Sequence, residues 1–176
     1  MKKIVLLLIM FLSFVFCWGC TTIALKAADM TPQTVPIEIR ADKPVKILVE
    51  GEGILKDDTA IISNQDFNEA LQTSIEKSQL FSGIDKELKD GYLLEVFIIS
   101  FEPPKGGFDM AATMITHWKL TRLPSNEVVY EDLIKKTCVK TVGDAVSGII
   151  RLRITSGCVA QDTISEGIKN ISKVNL

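Results

Sequence analysis

Histidine is almost missing from this chain. His117 stands alone among 176 residues that also hold four cysteines, two tryptophans and two tyrosines. One histidine with no closely spaced Cys or carboxylate makes no metal-ligand cluster. A Ser-His-Asp or Cys-His site needs partners that meet in space, and the nucleophile motif G-x-S-x-G does not occur. Gly51-Glu52-Gly53 lacks the third glycine and following helix of a phosphate cradle. Asp57-Asp58 reads as a solvated loop. An excess of positive charge is also missing: 20 Lys and Arg against 22 Asp and Glu leave a formal net charge of −2, which argues against a nucleic-acid partner. No catalytic residue, metal or cofactor is expected.

Hydrophobicity is abundant and concentrated at the start. Lys2 and Lys3 precede an apolar run from Ile4 to Phe16, then Cys17-Trp18-Gly19-Cys20. A basic start and an apolar stretch of roughly 7–15 residues form a secretory signal rather than a spanning helix. Gly19 is the small residue that a lipoprotein signal peptidase needs before its cysteine, so Cys20 is the expected lipidation site. Cys17 and Trp18 depart from the usual Leu-Ala-Gly-Cys box. Two alternatives stand beside this reading: an ordinary cleaved signal, and an uncleaved anchor. No charge falls between Lys3 and Lys26, long enough for one span of about 20 residues. All three put the rest of the chain outside the cytoplasm. Thr21 after the cysteine, where Asp is absent, points to the outer membrane, or to the cell membrane if the host has only one.

Export makes the other two cysteines informative. Cys138 and Cys158 are expected either as a disulfide, stabilising by roughly 3 kcal/mol in the chain-entropy model, or as separate buried thiols.

Residues 1–19 are thus read as a signal, 20–44 as a flexible tether carrying Pro32, Pro36 and Pro44, and 45–176 as one periplasmic domain. Val45–Val49 alternates as a strand, and Asn64–Phe81 has helical spacing with Ser63 or Asn64 as its cap. Tyr92–Phe101, Phe108–Thr121 and Val128–Thr141 read as strands joined by Pro- and Gly-bearing turns. Phe108, Met110, Ala112, Met114, Trp118 and Leu120 share one face. A helix over about 144–172 is expected to bury Val146, Ile150, Ile154, Cys158, Ile164, Ile168 and Ile171. Gly148 and Gly157 would let it approach the sheet closely, or Gly157 would bend it. The fold class is α+β, in the order β-α-β-β-β-α, with a mainly antiparallel four-stranded sheet and two helices on one face.

Phe67-Asn68-Glu69-Ala70-Leu71 through Ser78-Gln79-Leu80-Phe81, the strand from Tyr92 to Val96, and Asp144-Ala145-x-x-Gly148 carry a resemblance. The chain resembles YajG-like lipoproteins and the auxiliary lipoproteins of envelope transport systems. That resemblance implies the same fold and compartment, and a binding or assembly role rather than a reaction.

One surface is a candidate binding face, with cover by the chain's own tether or a loop as the commoner reading. Phe97, Ile99 and Phe101 form an apolar row opposite the core face of their strand, needing a second layer, the tether, a partner or a lipid to cover them. The functional expectation is a non-catalytic lipoprotein, held in the membrane through Cys20 and binding an envelope protein partner. The alternative is a carrier or sensor of a lipid or other apolar ligand.

Overall fold

The computed structural model describes residues 24–51 and 62–176. Cys20 and Asp57-Asp58 lie outside them. The elements are α1 (Ala27–Met30), β1 (Val45–Gly51), α2 (Asn64–Ser78), β2 (Gly91–Glu102), β3 (Met110–Leu123), β4 (Glu127–Lys140) and α3 (Gly148–Ile171). The sheet runs β1-β2-β3-β4, with β1 parallel to β2 and the other pairs antiparallel. The α2 crossover makes the parallel pair possible, and short turns make the meander.

Local chemistry sets the helix ends. The Ser63 hydroxyl accepts the Asp66 N–H at 2.9 Å and caps α2. The helix stops at Gln79, which turns left-handed (φ 55°) and donates its N–H to the carbonyls of Ile75 and Glu76. Phe67, Ala70, Leu71, Ser74 and Ile75 form its buried face, the three- and four-residue spacing of an amphipathic helix.

Alternation works equally well on β3. Met110, Ala112, Met114, Thr116, Trp118 and Leu120 all face the helices. The Trp118 indole N–H donates to the Thr116 hydroxyl at 2.8 Å, so the largest buried side chain leaves no polar group unmet.

The seat of α3 is narrower than its isoleucines suggest. Its buried face is Arg151, Thr155, Ser156, Gly157, Val159, Ala160, Thr163, Ile164, Gly167, Ile168 and Ile171. A Cβ on Gly167 would lie 2.5 Å from the Trp118 ring, and one on Gly157 would lie 2.7 Å from the Asp29 carbonyl oxygen. Glycine at these two positions lets the helix settle against the indole on one side and α1 on another. The expected stripe is correct from Ile164 onward, but at its start Val146 and Ile150 are exposed and Ile154 is only half-buried. Cys158 still faces β4 and is bonded to Cys138, with Cα atoms 6.0 Å apart.

Residues 24–44 are not the flexible tether expected of them. Leu25 and Met30 are fully buried. The Asp29 carboxylate receives the Arg153 guanidinium at 2.8–3.2 Å, and the Gln161 amide donates to the Asp29 carbonyl at 2.8 Å. Further on, Ile39 N–H donates to the Ser172 carbonyl and Ala41 N–H to the Leu80 carbonyl. The segment is a strap running from the early turns of α2 and α3 to their far ends. After α1 its prolines keep it extended, and buried Leu25, Ala27, Met30 and Ala41 hold it down.

Burial alone would raise the Asp29 carboxyl. Hydrogen bonds from Arg153 and the Lys26 N–H, with the Arg153 charge, outweigh it and hold the group below its ordinary value. A depressed folded pKa contributes stability above the unfolded value, which disappears as pH falls through the folded one.

Two outcomes follow. Gly167→Ala should lower the melting temperature, although Gly→Ala in an open helix would gain about 1 kcal/mol; overpacking against Trp118 should cost about 1–3 kcal/mol. Asp29→Asn should melt below wild type at pH 6. That gap should close as pH falls through the depressed Asp29 pKa, read by calorimetry over an acid series.

Candidate binding surfaces

Both long helices lie on one face of the sheet, so the other is uncovered by any described helix. Register places Glu95, Lys119 and Glu131 in one row across β2, β3 and β4. The next row holds Glu50, Phe97, His117 and Leu133. Lys119 pairs with Glu95 at 3.5 Å and His117 Nε2 with Glu131 Oε1 at 2.9 Å. Leu48, Phe97, Ile99 and Leu133 stand exposed among these charges. A shallow depression of about 310 Å³ is lined by Leu48, Glu50, Glu95, Phe97, His117 and Lys119. Apolar groups ringed by paired charges make a surface suited to protein contact.

The expected row therefore needs one correction. Phe97 and Ile99 are on the open face at 41% and 43% exposure, but Phe101 is buried at 4%. A β-bulge is the cause: Ile98 pairs with Thr116 and Ser100 with Ile115, so Ile99 is the extra residue. One inserted residue turns every later side chain to the opposite face, and Phe101 meets the core beside Met114.

A second surface escaped the sequence reading. Phe108, taken as the first core position of its strand, lies in the loop before β3 and is 84% exposed. Val146 is 86% exposed, while Ile149 and Ile150 follow on the first turn of α3. Arg151 brings them to one end of the molecule. It is buried, and its guanidinium donates to the carbonyls of Ala145 (2.5 Å) and Gly107 (2.7 Å). One side chain thus ties the loops carrying Phe108 and Val146 to the start of α3. The available clue was Arg151 between the apolar Ile150 and Leu152, since a buried arginine must find acceptors.

The acidic groups near Cys158 are of another kind. Cys138, Cys158 and Asp162 are close together, but both sulfurs are committed to the disulfide. No described helix is long and apolar enough to cross a membrane.

No protein-family model and no curated protein matches the chain by sequence. Solved structures do match in fold. A protein of the DUF330 family from Xanthomonas campestris is 10% identical with a TM-score of 0.55, covering 81% of this chain and 93% of its own. The PelC dodecamer from Paraburkholderia phytofirmans is 14% identical with a TM-score of 0.51, covering 80% and 93%. A minor lipoprotein from Acinetobacter baumannii is 9% identical with a TM-score of 0.51, covering 75% and 95%. At such identities the likeness is one of fold.

Replacing Arg151 by Met keeps the stem and removes the donors. Hydrogen exchange should rise across 104–109 and 141–148 while β2 and β3 stay protected, and stability should drop by about 2–4 kcal/mol because charge-assisted bonds are lost.

Proposed function

We propose that this chain is an exported lipoprotein, anchored through Cys20, that acts without catalysis by binding an envelope protein on the open face of its sheet. The observation that carries the binding role is that face, where Phe97, Ile99, Leu48 and Leu133 stand exposed between charge pairs. Export is supported by the Cys138–Cys158 bond, because disulfides persist outside the cytoplasm. The anchor rests on Gly19-Cys20 after an apolar leader. The same fold serves a minor lipoprotein in Acinetobacter baumannii, which accords with this reading. The outer membrane is the proposed location, from Thr21 after the cysteine.

Intact mass of the membrane-extracted protein tests the anchor. Cys20–Leu176 plus acyl chains is the expected species, and it should gain two hydrogens on reduction. A mass that includes Met1–Gly19 would show an uncleaved anchor. A photo-crosslinking residue at Phe97 should give a discrete protein adduct in cells, while one at Glu76 on α2 gives none. Phe97→Asp should leave stability within about 0.5 kcal/mol, as surface changes do, yet abolish partner crosslinking from Ile99. Adducts with lipid alone would favour the carrier reading.

A further inference from the structure

The end of the domain that carries Phe108, Val146, Ile149 and Ile150 is where the N-terminal chain emerges. Asp29 is held by Arg153, within one turn of Ile149 and Ile150. Lys26 reaches Asp66 in the first turn of α2 at 4.0 Å. Asn64, at the start of that helix, bonds the carbonyl of Gly51 at the end of β1. Gly51 pairs with Ile98, toward the end of β2 from which the chain continues to Phe108. All these ties place residue 24 at the same end as the exposed apolar side chains.

Leu25 is fully buried and cannot move away from the domain without unseating the strap. Only Thr21–Ala24 lie between it and Cys20, and five extended residue steps span at most about 17 Å. A lipid on Cys20 would therefore hold this end within reach of the bilayer interface. This end bears both signs, Lys105 and Lys140 against Asp109 and Asp144, with Lys140 paired to Asp144 at 3.6 Å. Headgroup charge has no net handle, whereas four exposed large apolar groups have one.

We infer that this end is a membrane-docking tip: Phe108, Val146, Ile149 and Ile150 enter the interfacial region of the bilayer that holds the lipid of Cys20. The inference rests on the lipoprotein reading above. Arg151 is its positioning residue, holding the two loops so that their apolar tips project together. The consequence is a fixed pose, with the sheet's long axis directed away from the membrane rather than a domain swinging on a tether.

The test uses the full lipidated chain in phosphatidylethanolamine–phosphatidylglycerol vesicles whose acyl chains carry bromine. Phe108→Trp and Val146→Trp each put an indole at the tip, and Phe97→Trp puts one on the open sheet face as control. Native Trp118 is fully buried and reports only background. Bromolipid should quench both tip indoles and leave the control bright. Intact mass of the same samples reads the anchor separately. Acylated protein with unquenched tip indoles overturns the docking tip and leaves the anchor standing. A blue-shifted tip indole without quenching does the same, showing a protein contact instead. Equal quenching at position 97 overturns the fixed pose. Absence of acyl mass overturns the anchor, and the tip with it.

Discussion

The rotation of α3 about its axis is set where Gly167 lies against the indole of Trp118. A side chain larger than hydrogen has no space there, so the helix can approach β3 in one phase only. That phase turns Ile164, Ile168 and Ile171 into the core and Cys158 toward Cys138. It also turns Arg151 inward and leaves Ile149 and Ile150 outside. The strap depends on it as well, since Arg153, Gly157 and Gln161 then form one seat for Asp29. Core, disulfide, strap and apolar tip all follow from the same close contact.

Buried polar groups play distinct parts around that contact. Thr155 and Thr163 return their hydroxyls to carbonyls one turn back at 2.6 and 2.8 Å, so they can face the core at little cost. Arg151 cannot satisfy itself in this way and takes its acceptors from two loops. Removing a charge from water is expensive unless acceptors replace the lost hydration. The loops are held in return, which is how one residue organises a surface that it does not itself expose.

The two surfaces differ in kind. The open sheet face mixes apolar side chains with paired charges, whereas the end at α3 presents more fully exposed apolar groups on two loops and the first turn of that helix. On the proposed anchoring, the strap decides how they are oriented. A chain bound along the helices by Leu25, Met30, Ile39 and Ala41 transmits position in a way that a loose linker would not.

Sequence periodicity by itself determined the four strands and two long helices, the core face of β3 from Met110 to Leu120 and the α+β class, because alternation and helical spacing are local properties of burial. It also set out the leader pattern ending at Cys20, which lies outside the described residues. Three matters were decided only in three dimensions. The bulge at Ile99 sent Phe101 to the core, since strand register depends on the partner strand. The strap bound because the groove that receives Leu25 and Met30 does not exist until α2 and α3 are packed. The apolar end at Phe108 and Val146 stayed outside because Arg151 and the small residues took the inward face of α3. Hydrophobicity states which side chains seek burial; backbone clearance decides which of them obtain it.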